Sequence, residues 1–212
     1  MWVKKYAPKS LSEYVNQKDA VAKFVRWYNT WKEHRKPCLL HGPPGVGKTS
    51  LVYAFAHERG LEVIELNASD FRDAASIKRI LSSAVTQKSL FARGKIFLID
   101  EVDGIAGRED KGGVAELVKL VPEARNPIVF TANDAWDPKL KPIRDISEMI
   151  ELKKLSVKDV EKKLFEILRK EGIYAEFAAV KQIAARNEGD LRGAINDLET
   201  VARGKKRVTL KD

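Results

Sequence analysis

Residues 38–50 read CLLHGPPGVGKTS. A short apolar run, PCLLH (37–41), enters a turn built of glycine and proline, and the chain leaves it at Lys48-Thr49-Ser50. An apolar run bounded by Gly and Pro predicts a strand, and residues 48–58 predict a helix leaving the turn. Gly42 to Thr49 fits the pattern G-x-x-x-x-G-K-[ST]. In that arrangement the glycines let backbone N–H groups turn inward around phosphate oxygens, and the helix N-terminus adds positive potential. Lys48 is expected to reach the β- and γ-phosphates of a nucleotide and the Thr49 hydroxyl to bind Mg²⁺. The expected phosphate cradle is Gly42, Pro43, Pro44, Gly45, Val46, Gly47, Lys48 and Thr49. A plain Gly/Pro turn is the alternative, and the flanking strand and helix argue against it.

About 50 residues further on, Ile96-Phe97-Leu98-Ile99 ends in Asp100-Glu101. Asp100 at a strand tip is expected to hold Mg²⁺ through its water shell, and Glu101 to polarise an attacking water. Strands often end in acids, so this string acquires meaning only from the loop upstream. One strand, EVIEL (62–66), lies between the two motifs in sequence. That order suggests nucleotidases in which a strand is inserted between the loop strand and the acid strand. Asn133 closes the next strand, PIVFTAN (127–133); a turn asparagine is the plainer reading in isolation, but its position at the end of the third long strand favours a role in holding the attacking water or the γ-phosphate. In Gly189-Asp190-Leu191-Arg192, Asp190 is a natural N-cap. Arg192 reaches bound phosphate only if its helix folds over the nucleotide, and is otherwise a surface arginine.

Around these motifs strands and helices alternate, which predicts βαβ units and a parallel sheet. KIFLID (95–100) is nearly continuous in apolar character, as in a sheet covered on both faces. Residues 18–34 place Val21, Phe24, Val25, Tyr28 and Trp31 on one helical stripe. Ser69 or Asp70 is expected to cap a helix running to about Ala84, a further helix lies near 113–121, and MIELKKL (149–155) reads as the last strand. After residue 155 only helices are expected. Ser156 caps the first, Gly172 ends it, and two more follow near 176–187 and 190–203. The expectation is therefore an α/β domain over 1–152 and a small helical domain over 153–212. The chain stops at VTLKD without an obvious finish, so a longer parent chain is expected.

Composition is ordinary for a globular protein, with 44% hydrophobic residues. No apolar run approaches the ~20 residues of a membrane span, and MWVKKYAPKSLSEY at the N-terminus holds no hydrophobic signal core. A soluble, cytoplasmic protein is expected. The lone Cys38 allows no internal disulfide and reads as a buried structural thiol. The net charge of +9 lies in the flanks: residues 1–36 hold nine Lys/Arg against three Asp/Glu, and residues 151–212 hold 15 against 11. Nucleic acid is a reasonable partner for such a surface, as are merely solvated helix faces.

Together the motifs resemble those of the AAA+ ATPases: GPPGVGKT their Walker A, FLIDE their Walker B, TAN their sensor 1 and GDLR their sensor 2. Within that family the chain is similar to clamp loaders of the replication factor C type. WVKKYAPKSLSEYVNQ (2–17), ELNASD (65–70) and GDLRGAINDLE (189–199) carry the likeness, and NASD, DEVD and ARNPIVFTAN draw it toward the archaeal large-subunit branch. The resemblance implies a Rossmann-like AAA+ domain followed by a helical lid, with the family's C-terminal collar absent. It implies ATP and Mg²⁺ as ligands, with Val3, Tyr6 and Pro8 near the adenine and Asn133 and Arg192 sensing the γ-phosphate. It also implies an ATP-driven role in opening a sliding clamp and loading it onto primer–template DNA, within a hetero-pentamer completed by small subunits.

By the same resemblance, DNA phosphates would meet Arg72, Lys78, Arg79, Arg108 and Lys111, and the clamp would meet Leu90 and Phe91. The arginine that small subunits insert into a neighbour's site falls here at Ile146, with Arg144 two residues away. No finger is therefore expected, and this chain would receive an arginine in trans without passing one on. The WVKK segment also departs from the usual W-x-E-K. An origin-remodelling initiator or helicase loader, and a scaffold that binds ATP without turnover, are the competing readings. The first usually adds a winged-helix DNA reader, which the sequence does not show, and Glu101 argues against the second.

Overall fold

The computed structural model describes residues 1–67, 94–104 and 113–211. Five strands form one parallel sheet: β1 (Cys38–His41), β2 (Glu62–Asn67), β3 (Lys95–Asp100), β4 (Ile128–Ala132) and β5 (Glu148–Glu151). Their spatial order is β2-β3-β4-β1-β5. The loop strand β1 pairs with β4 through Cys38↔Val129 and with β5 through Cys38↔Glu148. β3 pairs with β4 through Phe97↔Ile128 and with β2 through Glu62↔Lys95. The expected insertion is present, and β4 is the inserted strand. EVIEL, which separates the motifs in sequence, lies at the sheet edge beyond β3.

Strand alternation builds two cores, one on each face. Leu39, Phe97, Ile99 and Phe130 point into a cluster closed by Leu117, Leu140 and Ile143. Their neighbours Cys38, Leu40, Ile96, Leu98 and Val129 point into the other, with Phe24, Trp27, Leu51 and Phe55. That second face is covered by α2 (Lys18–His34) and α3 (Lys48–Arg59). The stripe on α2 is broader than its sequence spacing suggests. Ala20 and Trp27 are buried with Phe24 and Trp31, while Val21, Val25 and Tyr28 are only partly so. Trp27 satisfies its indole N–H on the Lys36 carbonyl at 2.9 Å. Cys38 is fully buried, and burial drives its thiol well above the ordinary value, as befits an inert core group.

The first face carries α4 (Gly113–Leu120) and α5 (Lys141–Ile146). The second of these was not anticipated; Pro142 at its start fits the N-terminal turn of a helix. The expected helix from Ser69 or Asp70 to about Ala84 lies outside the described residues. The strand expected over 149–155 spans only Glu148–Glu151, and it is not the last: a two-residue parallel pair, β6 (Tyr174–Ala175) with β7 (Arg207–Val208), follows.

Three helices close the chain: α6 (Val157–Glu171), α7 (Phe177–Arg186) and α8 (Leu191–Ala202). They share a third cluster through Leu155, Val160, Leu164, Ile167, Val180, Ala184, Ile195 and Leu198. Leu152 still belongs to the second cluster. Trp2 and Val3 of the short N-terminal helix α1 (Trp2–Lys5), with Tyr6 and Val15 beyond it, also pack on the third cluster. Among the described residues no helix is long and apolar enough to cross a membrane.

Ser156 begins α6 as a complete capping box. Its hydroxyl accepts the Asp159 N–H at 3.1 Å and donates to the Asp159 carboxylate at 2.6 Å, and Gly172 closes the helix with φ 68°. Ser156→Ala removes both bonds and is expected to cost about 1 kcal/mol. A urea melt should show a lower midpoint at unchanged slope.

Candidate nucleotide site

The loop between β1 and α3 emerges at the carboxyl edge of the sheet, where open α/β sheets bind ligands. Two glycines show why no other residue serves. Gly42 has φ 140°, and a Cβ there would lie 2.1 Å from the Leu152 carbonyl oxygen. Gly45 has φ 68°, and its Cβ would lie 1.7 Å from the Asp190 carboxylate. The second approach joins the loop to α8: the Leu191 N–H donates to the Gly45 carbonyl at 3.2 Å, while Asp190 caps the helix by accepting the Gly193 N–H at 2.8 Å.

Lys48 is buried at the first turn of α3. Its Nζ donates to the carbonyls of Gly42 and Pro43 at 2.7 and 2.9 Å and to Asn133 Oδ1 at 2.8 Å. All three ammonium donors are thus engaged. Burial is the main force lowering the proton affinity of Lys48; Asp103 and Asp100 oppose it, Arg192 adds to it and Glu101 opposes it more weakly. Arg192 is exposed on the first turn of α8, near enough for its charge to be felt at Lys48.

The Thr49 hydroxyl donates to Asp100 Oδ1 at 2.9 Å. These hard oxygens fit Mg²⁺, which is usually held by one or two protein oxygens with substrate phosphates and water completing the shell. The same Asp100 oxygen accepts the Thr131 hydroxyl at 2.6 Å, and Thr131 Oγ1 in turn accepts the Glu101 N–H at 2.9 Å. Glu101 is exposed and left-handed, with φ 56°. Asp103, in the 3₁₀ turn Val102–Gly104, accepts the N–H groups of Asn133 and Asp134 on Oδ2 at 2.9 and 3.4 Å. Its Oδ1 is buried and has no hydrogen-bond partner among the described residues.

Comparison with known proteins identifies the family. The model of the family described as "ATPase family associated with various cellular activities (AAA)" matches residues 38–171, most of the chain. The chain belongs to the AAA family of ATPases. It is 51% identical to the replication factor C large subunit of Staphylothermus marinus, across 99% of this chain and 50% of that one. The large subunits of Aeropyrum pernix and Thermofilum pendens are 50% and 46% identical, over 99% and 100% of this chain and 44% and 52% of theirs. The chain thus spans about half the length of the curated relatives it matches. Among solved structures, the RuvB Holliday junction branch migration motor of Thermotoga maritima superposes with a TM-score of 0.70 at 22% identity, over 97% of this chain and 70% of that one. A single-residue variant of the same RuvB protein superposes with 0.72 at 24%, over 97% and 70%. At such identities these likenesses show the AAA fold.

The structure gathers Lys48, Thr49, Asp100, Glu101 and Asn133 at one edge of the sheet, with Arg192 on the helix that abuts the loop. Val3 and Tyr6 are partly buried against the third cluster, and the Tyr6 hydroxyl donates to Glu171 at 2.6 Å. Pro8 is half-buried on the same segment. Tyr14 of the N-terminal segment touches the loop, its hydroxyl donating to the Gly47 carbonyl at 2.6 Å. Burial raises its phenol far above the usual range, so it stays a neutral donor. Sequence reasoning missed Tyr14, Thr131 and Asp103. Asp103 carried a signal as the fourth residue of the acid string, and Thr131 stands in the TAN motif but is an ordinary strand residue by type.

Arg144 stands on helix α5. Its Nη1 donates to the Asp137 carbonyl at 2.8 Å and to Ala135, and its guanidinium lies over the Trp136 ring. Ile146 packs on the first cluster. Arg72, Lys78, Arg79, Leu90, Phe91, Arg108 and Lys111 lie outside the described residues.

Gly42→Ala meets a backbone oxygen, whereas Gly204, at φ 72°, has open space around it. The expected cost at Gly204→Ala is about 1 kcal/mol, from left-handed strain alone, and at Gly42→Ala more than about 2 kcal/mol. Denaturant midpoints of the two variants separate strain from collision.

Proposed function

We propose that this chain is the ATP-binding and ATP-hydrolysing module of a clamp-loader large subunit, which uses ATP to open a sliding clamp and load it onto primer–template DNA. The observation that carries the reading is the likeness to replication factor C large subunits along essentially the whole chain, at 46–51% identity in three of them. The site supplies the chemistry. Lys48 and the backbone N–H groups of the non-proline residues of 42–49 hold the β- and γ-phosphates. Thr49 and Asp100 would hold Mg²⁺, which neutralises phosphate charge when bound. Glu101 orients the attacking water, while Asn133 and Arg192 contact the γ-phosphate from β4 and α8. The N-terminal segment around Val3, Tyr6 and Pro8 takes the adenine side, and residues 153–212 act as the helical lid over the α/β domain of 1–152.

The internal ties of Arg144 support a chain that donates no arginine to a neighbour. Small subunits would form the hetero-pentamer with it and supply that arginine in trans. Arg72, Lys78, Arg79, Arg108 and Lys111 would meet DNA phosphates, which position the protein without reading sequence. Leu90 and Phe91 would meet the clamp. A cytoplasmic setting follows from this role.

Lys48→Ala is expected to abolish nucleotide binding. Glu101→Gln should retain binding and lose about 10²-fold or more in turnover. Turnover by Glu101→Gln at the parent rate in the full assembly overturns the mechanism. In a pull-down with small subunits, the sliding clamp should be retained only with ATP, and lack of ATP-dependent retention overturns the clamp-loader reading. DNA binding through phosphates should weaken steeply as salt rises.

A further inference from the structure

Thr131 is wholly buried near the end of β4, a place where an apolar side chain is the ordinary occupant. Its hydroxyl is used twice. It donates to Asp100 Oδ1 at 2.6 Å and accepts the Glu101 N–H at 2.9 Å. The second bond falls on a residue with φ 56°. A non-glycine residue keeps that conformation only when its surroundings hold it there. The hydroxyl therefore grips the turn at the point where the direction of the Glu101 side chain is set. The lacing also runs the other way, since Asp103 Oδ2 accepts the N–H groups of Asn133 and Asp134 from the end of β4. The acid turn holds the asparagine turn, and the asparagine strand holds the acid turn.

We propose that Thr131 is a positioning residue for ATP hydrolysis: through its two hydrogen bonds it fixes Asp100 and the backbone of Glu101 relative to Asn133, so that the water-orienting carboxylate meets the phosphate chain at the right angle. Thr131 touches neither substrate nor water in this role; it acts through the two acids. The proposal rests on the ATPase reading above. Valine matches the shape of threonine and can make neither bond, whereas serine keeps the hydroxyl and loses a methyl group.

The test compares the parent chain with Thr131→Val and Thr131→Ser, each assembled with small subunits that supply the trans arginine and whose own ATP sites are inactivated. Equilibrium binding of a fluorescent ATP analogue with Mg²⁺ is measured alongside single-turnover hydrolysis of ATP at excess protein. Thr131→Val should hydrolyse about 10- to 100-fold more slowly, with nucleotide affinity within about threefold of the parent. Thr131→Ser should recover to within about threefold of the parent rate. Should the valine variant fail to fold by circular dichroism, Thr131→Ala takes its place with the same expectation. Hydrolysis by the hydroxyl-free variant at the parent rate overturns the proposal. So does a loss of binding that matches the loss of rate, which marks a merely structural residue, and so does failure of serine to restore turnover. A parent chain that does not bind ATP, or whose assembly does not turn it over, overturns the ATPase reading itself, and the proposal with it.

Discussion

One carboxylate oxygen ties the site together. Asp100 Oδ1 accepts the hydroxyls of Thr49 and Thr131, and so joins the helix after the loop, the acid strand and the strand inserted between them. That meeting requires the strand order observed. With β4 between β1 and β3, Thr131 faces Asp100 from the adjoining strand, and Asn133 comes within reach of Lys48. Had β1 and β3 lain side by side, β4 would not stand between the loop and the acids, and the lysine and the two acids would have to be arranged without it.

The cores on either face make this edge rigid. β1, β3 and β4 are buried almost throughout, and each feeds alternate residues into opposite clusters. A one-residue slip in any of them would exchange the contents of both clusters. Register is therefore strongly specified, and with it the heights of Asp100 and Asn133 at the strand ends. The polar residues at this edge are held by side chain-to-backbone bonds as well as by packing, which is what pre-organised chemistry requires.

Much of this was legible in the sequence, for identifiable reasons. The glycine loop, the two acids and Asn133 stand at strand ends, and apolar runs mark strand ends well. Ser156 and Gly172 announced a helix because caps are local chemistry. What escaped was long-range. Nothing local says that Tyr14 reaches Gly47, or that Trp27 is more deeply buried than Tyr28 on the same helix. Thr131 could not be told from any β-branched strand residue, because its significance lies in the strand laid beside it. Helix α5 was missed because Pro142 reads first as a breaker, and β6–β7 because two residues carry no period.

The first seventeen residues also have a mechanical meaning. Trp2 N–H and the Tyr6 hydroxyl are held by Glu199 and Glu171 on the closing helices. Asn16 reaches Asp159 at the start of α6, and the Gln17 side chain exchanges hydrogen bonds with the backbone of Lys153 in both directions. Between these anchors Tyr14 grips the carbonyl of Gly47. The segment is thus a tether with both ends on the helical part and its middle on the phosphate loop. A rotation of the closing helices relative to the sheet must load or slacken that middle attachment. Beside the direct bond from Leu191 to Gly45, the leading segment of the chain is a second linkage by which movement on one side is felt at the other.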